Sequence, residues 1–375
     1  GVAPAIVKTV QMYKGVVPFI MLQILALFIV GYYPALVNYL PNRTSFLSEN
    51  SPPPKNPRLQ YCIEQYSSNV LFSNDNFVQN AVKELGGVDM SMLPKKIKAN
   101  LTNAVGDAEA AIVSLKSAIE QESIIEKEAI EYRPILNKVR RLESRINNKK
   151  SEIKELMKEQ VLQKTLKNSD AVEDIKNEIE EVEKEIDEIN QQKPANWDQI
   201  YKEFTALMKE EQKQRNMYRR AGENSFKAVE ELSSILASDT SILELKTEYE
   251  LVLQKNSKLS KEERVKTLNE VSKKAGQVKG TSEFKSKLSK AIRELKKKNS
   301  KDEKVNKNLD AALKEIIELY NWVSISKGPL QISLQTYLDK TKGSLGIRAQ
   351  DRFNKDLALY LARCNANHRD LSLNF

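Results

Sequence analysis

Residues 135–192 read ILNKVRRLESRINNKKSEIKELMKEQVLQKTLKNSDAVEDIKNEIEEVEKEIDEINQQ, and their spacing decides the fold. Ile135, Leu142, Lys149 and Leu156 recur at a heptad interval, with Val139, Ile146, Ile153 and Gln160 at the alternate position. Beyond Lys167-Asn168-Ser169-Asp170 the pattern restarts, with Val172, Ile179 and Ile186 at one position and Ile175, Val182 and Ile189 at the other. Alternating three- and four-residue steps hold an apolar stripe on one side of a helix, as a coiled-coil seam requires. Ser169 or Asp170 is placed to cap the second helix, and Pro134 is expected to block the first at its start. The two runs differ in sign: residues 135–167 carry a net +6 and residues 168–192 a net −8. Like-charged arms repel and these two attract, so an antiparallel hairpin is expected. Lys149 and Gln160 would weaken the seam while setting its register.

The rest of the chain extends the helical reading. Of 375 residues, 30% are charged and 7% aromatic, with only 12 Gly and 12 Pro. That composition suits long solvated helices and disfavours a large β protein or an ordinary α/β enzyme. Ile112, Leu115, Ile119 and Ile125 share roughly one helical face within 107–131. After Pro194, Trp197, Ile200, Phe204, Leu207, Met208, Phe226, Val229, Leu232, Ile235 and Leu236 follow helical spacing up to Ser238. Leu309, Leu313, Ile316, Ile317 and Tyr320 repeat it before Val323. Such stripes serve as core.

A different physical regime occupies the first 41 residues. From Gly15 to Asn42 no residue is charged, and Phe19–Val30 is apolar except for Gln23. A bilayer core about 30 Å thick takes roughly 20 helical residues, so a membrane-spanning helix is expected here. Tyr32, Tyr33 and Tyr39 would sit at the headgroup layer. Pro18 lies near the start of the span, and Pro34 should end or kink it. The apolar run exceeds a signal-peptide core of roughly 7–15 residues and lacks a small-residue cleavage site. The chain opens with Gly1 rather than Met, as expected of a fragment or processed product.

Gly1-Val2-Ala3-Pro4, Val7, Thr9, Tyr13-Lys14-Gly15, Pro18-Phe19, Leu22-Gln23, Pro34, Leu36-Val37 and Leu40-Pro41 follow one another at fixed spacing. Over residues 1–41 this resembles the carboxy-terminal end of the large permease (M) subunit of tripartite ATP-independent periplasmic (TRAP) transporters. The resemblance implies a bacterial inner-membrane, multi-pass secondary transporter. It also implies sodium-coupled uptake of organic acids such as dicarboxylates, with a small Q permease subunit and a periplasmic substrate-binding protein as partners. Its substrate and sodium sites would precede Gly1, so no residue of this chain inherits such a role. Gly15, Ala26 and Gly31 are candidate close-contact positions against other membrane helices. Residues 42–375 depart from the family.

The expected fold is therefore all-α: one transmembrane helix (1–41), a Pro-rich linker (42–58), a helical region (59–134), the hairpin (135–192) and a second helical region (193–375). Consecutive prolines at 52–54 suggest an extended spacer. Residues 59–104 should form short helices with a turn at Gly86-Gly87. A basic segment, 254–307, holds 18 Lys or Arg against 7 Asp or Glu. It could meet anionic lipid, but mostly Lys with Phe284 as its one aromatic argues against nucleic acid; a solvated helix or loop is the main reading.

Chemistry-bearing constellations are sparse, and no enzyme is expected. No catalytic, cofactor-binding or metal-binding residues are assigned, and no cofactor is expected in this segment. Cys364 and His368 share helical spacing, but zinc needs about four ligands and the other cysteine, Cys62, is remote in sequence. Gly343-Ser344-Leu345-Gly346 reads as a turn, and the Glu cluster at 180–188 as an exposed coiled-coil face. Lys8 and Lys14 before the apolar run nearly balance Arg43, Lys55 and Arg58 after it, so charge does not orient it. The resemblance implies a cytoplasmic extension, which the reduced-looking cysteine usage does not contradict, with a scaffold or regulatory role. The alternative function is a single-span, membrane-anchored coiled-coil tether.

Overall fold

A computed structural model of the chain describes residues 9–32, 35–73 and 76–364. The described residues are helical throughout, without a strand. In order, the helices are α1 (Thr9–Tyr32), α2 (Ala35–Leu47), α3 (Gln60–Leu71), α4 (Phe77–Gly86), α5 (Lys95–Thr165) and α6 (Ser169–Gln191). They continue with α7 (Trp197–Ala237), α8 (Asp239–Asn256), α9 (Lys261–Ala275), α10 (Ser282–Leu295), α11 (Asp302–Thr341) and α12 (Lys355–Arg363). They divide into two compact units: unit 1 lies within Gly1–Val113 and Tyr218–His368, and unit 2 within Ser114–Met217. The division falls inside α5 and α7, each of which contributes to both units.

Unit 1 is a multi-helix core. Leu101, Ala104, Ala108 and Ala111 of α5 are buried at steps of three and four, giving a narrow stripe of mostly small side chains. Around the same core, Val229, Leu232 and Leu236 of α7 are buried, as are Ile242, Leu245 and Tyr249 of α8. α10 packs on α9 and α11, and α11 also packs on α4 and α8. The Tyr249 ring meets Phe284 edge-on at 5.0 Å, and its hydroxyl donates to the Leu309 carbonyl at 3.0 Å. Such a bond keeps a large aromatic buried without leaving its polar end unsatisfied.

The basic segment forms helices α9 and α10 rather than a tail. Leu268, Val271, Phe284, Leu288, Ala291 and Ile292 are buried, which leaves the lysines on the outer faces. A capping box starts α9: the Ser260 side chain accepts from the Glu263 amide, and the Glu263 carboxylate accepts from the Ser260 amide at 2.9 Å. Lys274 pairs with Glu248, Lys287 with Glu315 and Lys297 with Glu294. The excess positive charge is thus partly met within the unit.

In unit 2, α6 lies antiparallel to the end of α5. Lys149 pairs with Glu185 at 2.8 Å, and Glu143, earlier in the chain, pairs with the later Lys193 at 3.4 Å. Leu142, Ile146 and Ile153 bury against Val182, Ile186 and Ile189, with Leu156 and Ile179 partly covered beside them. Asn168 caps α6 through the Ala171 amide, one position before the expected caps Ser169 and Asp170.

Two sequence expectations need correction, and a third finds no support. Pro134 does not block a helix: it lies within α5, which continues from Lys95 to Thr165. A proline there forfeits one ladder bond, and neighbouring packing holds the helix together: Tyr132 and Leu136 bury with Ile125, Ala129 and Phe204. Residues 42–58 are not an extended spacer throughout. Asn42–Leu47 complete α2, Pro54 is buried, and the Gln60 amide donates to the Pro54 carbonyl at 2.7 Å. The third concerns the expected transmembrane helix. Among the described residues, no helix is long and apolar enough to cross a membrane. α1 itself runs from Thr9 to Tyr32, 24 residues, and its described side chains, Val16 to Tyr32, are exposed. Residues 33 and 34, including Pro34, lie outside the described residues.

Candidate functional site

Three places in the molecule are built for more than filling space. The first is α1. Every described side chain from Val16 to Tyr32 is exposed; Phe28 is 72% and Leu27 71% accessible, and none of these residues is charged. A helix on the surface of a globular core shows a polar face opposite its apolar stripe, and the exposed side chains of α1, apolar except for Gln23 and the Tyr32 hydroxyl, show none. Gly31 has open space where a side chain would begin, so a neighbouring helix could approach closely there.

The second place is the α5/α6 hairpin with the aromatic knot at its base. Tyr132 stacks on Phe204 with ring centroids 3.8 Å apart and on Trp197 at 6.0 Å. Arg215, 7% exposed, anchors this end: its guanidinium reaches Glu122 at 2.7 Å and Glu211 at 2.8 Å. A buried guanidinium flanked by two carboxylates stiffens the base of the arm. Along the seam, hydrogen bonds from Lys149 to Glu185 and then Glu152 favour the charged ammonium and raise its pKa. Toward the tip the seam runs out: Met157, Val161, Leu162 and Leu166 are exposed among Lys154, Lys158, Lys164 and Lys167.

The third place joins the two ends of unit 1. α12 packs on α2 and α3. Ile63 of α3 buries with Leu357 and Leu361 of α12 and with Ile347. Tyr66 and Tyr360 rings lie 5.3 Å apart, and the Tyr360 hydroxyl donates to Gln65 at 2.9 Å. Cys62 and Cys364 are bonded to each other there, across 302 positions of sequence. The pairing of Cys364 with His368 as a metal or thiol site therefore does not stand: the thiol is used elsewhere, and His368 lies outside the described residues.

Close beside this clasp is a buried polar group. Glu64, 1% exposed, pairs with Arg219 at 2.5 Å, and the buried Tyr218 hydroxyl donates to the Ser344 carbonyl at 2.5 Å. Burial raises the Tyr218 pKa far above the usual phenol. The Gly343–Gly346 turn is where this backbone comes close. Gly343 and Gly346 have φ of +80° and +63°, and a side chain at Gly346 would collide with Phe226 and the Gly222 carbonyl. The turn is thus a packing device.

Among the described residues, no group of three or more His, Cys, Asp or Glu could hold a metal ion. An open groove beside Pro134 is lined by Arg133, Arg141, Arg145 and other residues of α5 alone. A wall made by a single helix does not enclose a small molecule. Compared with the profiles of known families, with curated proteins and with solved structures, the chain has no match in any of the three.

The heptads and the apolar run were open to sequence reading. The disulfide, the Arg215 cluster and the Glu64–Arg219 pair were not, since their members lie 302, 93 and 155 positions apart.

Proposed function

We propose that this chain is the membrane-held end of an ion-coupled permease of the TRAP type, carrying a large helical arm with a scaffold or regulatory role. One observation carries the membrane part: α1 presents seventeen consecutive uncharged residues to its surroundings, apolar in every direction. In water such a surface is an association site, and in lipid it is at rest. The terminal helix of a permease would pack against other membrane helices, and α1 has the length for that, 24 residues from Thr9 to Tyr32. The permease part rests on the likeness of residues 1–41. Substrate and sodium sites belong to the preceding membrane segments, and the Q subunit and the periplasmic binding protein are the partners of that assembly.

A second reading, a self-standing membrane-anchored tether, is favoured by the bulk of the molecule. The described cores use residues beyond α1, and the hairpin has the form of an arm. The coding DNA upstream of Gly1 separates the two. Several further apolar spans in frame support the permease, and a start codon within a few residues supports the tether. Both require the chain to remain with membranes through an alkaline wash. Recovery of the whole chain in the soluble fraction would overturn both.

A further inference from the structure

The Cys62–Cys364 bond bears on the side of the membrane that the arm occupies. Its Cα atoms are 6.2 Å apart, within the range an unforced disulfide bridges. The approach is set by packing on both sides of the sulfurs. Ile63, Leu357 and Leu361 are buried together, Tyr66 lies against Tyr360, and the Tyr360 hydroxyl reaches Gln65. α2 adds Phe46 against Phe353 at 6.1 Å and the Tyr39 ring under Arg363 at 5.6 Å. Folding alone therefore brings the sulfurs together. No other cysteine exists in the chain to compete for either one. Disulfides persist in oxidising compartments and are kept reduced in the cytosol.

We infer that Cys62 and Cys364 form an oxidative clasp installed by a disulfide-donating carrier, and that unit 1 matures on the oxidising side of the membrane. The clasp stands on the geometry of unit 1, and the phrase "side of the membrane" rests on the anchoring proposed above. The chemistry is a two-step exchange. Cys364, half-buried at the end of α12, is the more accessible thiol; Cys62 is 3% exposed. The Cys364 thiolate attacks the carrier's disulfide, forming a mixed disulfide and releasing one carrier thiolate. The Cys62 thiolate then attacks the Cys364 sulfur, and the carrier leaves as its dithiol with the two electrons and two protons that the cysteines lost. This places the arm opposite to the cytoplasmic location expected from the resemblance.

The test uses bacterial cells that make the full chain. Thiols are trapped in acid-quenched cells with a maleimide–polyethylene glycol under denaturing conditions, with and without prior reduction. The expected result is no adduct before reduction and two after it; two adducts without reduction would overturn the clasp. Cys62→Ser should expose one reactive thiol, and if that variant is degraded, the wild-type comparison still decides. Sidedness is read with Lys298→Cys, an exposed position, in the otherwise natural chain. A membrane-impermeant maleimide should label it in intact spheroplasts, and labelling only after lysis would overturn the outward location. A chain that is disulfide-bonded but released in soluble form would sink the anchoring and leave the clasp standing.

Discussion

Unit 1 and unit 2 are both helical, yet they achieve order by different means. Unit 1 brings α3 and α12 together from opposite ends of the sequence, bonds them through Cys62 and Cys364, and buries three tyrosines whose hydroxyls bond inside. Unit 2 relies on a repeating seam between α5 and α6 and on one aromatic and ionic knot near Arg215. Long-range closure makes unit 1 sensitive to redox state and to alkali. Repetition makes unit 2 insensitive to redox state and less exposed to alkali, with Tyr132 as a buried phenol raised by burial, and dependent on a few base residues.

The largest expected effect follows from removing the cation in the knot. Arg215→Met would remove the ion pairs to Glu122 and Glu211, whose side chains are 16% and 15% exposed. Breaking a buried pair in this way costs about 3–5 kcal/mol. Urea unfolding followed by Trp197 fluorescence, with Trp322 of unit 1 replaced by Phe, should show the loss in unit 2. A shift smaller than about 1 kcal/mol would mean that the cluster is solvated and the knot is held by Tyr132 and Phe204 alone.

Reduction should act on the other unit. Opening Cys62–Cys364 releases a loop of more than 300 residues, for which about 2–4 kcal/mol is typical. The loss should appear in amide exchange of α3 and α12 and leave α6 unchanged. Equal loss in both units would erase the distinction between them.

How much of this contrast was legible beforehand depends on range. Unit 2's hairpin could be read because Leu142, Ile146, Val182 and Ile186 repeat at short intervals, and because a sign reversal at Asn168 needs no tertiary information. α1 could be read for the same reason, as a run without charge. Local propensity at Pro134 argues for a break, but its neighbours Tyr132 and Leu136 pack on Phe204, a contact from distant sequence that overrides it. The clasp was hidden because 302 positions between cysteines say nothing until the helices between them are folded. In the basic segment the lysines dominate the composition, while Leu268, Phe284 and Leu288, sparse among them, form the buried faces.

Alkali offers a milder version of the same comparison. In unit 1, burial pushes the Tyr337 phenol up to about 12, and Ser225 shares a hydrogen bond with it at 2.5 Å. Tyr218 and Tyr249 are raised by burial as well. A phenol raised in the folded state is stabilising while protonated in both states. That contribution is complete below the unfolded value of about 10 and is lost as pH climbs through 10 toward 12. Unit 1 should therefore weaken above pH about 10, and Tyr337→Phe should reduce the slope. The Ser225 hydroxyl would lose its partner in that variant, at a cost of about 1 kcal/mol at neutral pH. Tyrosinate absorbance recorded alongside the unfolding signal would check the order of events; ionisation of these phenols well before unfolding would contradict it.

The smallest effect is expected at the hairpin tip, and it sharpens what the seam does. Ile186 is 9% exposed within the seam, whereas Leu162 and Leu166 are 57% and 64% exposed beyond it. Ile186→Ala should cost about 2–4 kcal/mol, because it removes buried methyl groups and leaves a gap between the arms. Leu162→Ser and Leu166→Ser remove side chains that already face water, so each should change stability by no more than about 0.5 kcal/mol. The seam also fades in the sequence: Gln160 occupies the position that Ile153 and Ile146 hold a heptad or two earlier, and α5 ends at Thr165. Thermal unfolding of the three variants decides the point. A tip substitution as damaging as Ile186→Ala would mean that the tip apolar residues are covered in solution, and a hairpin arm with a covered tip has a partner there.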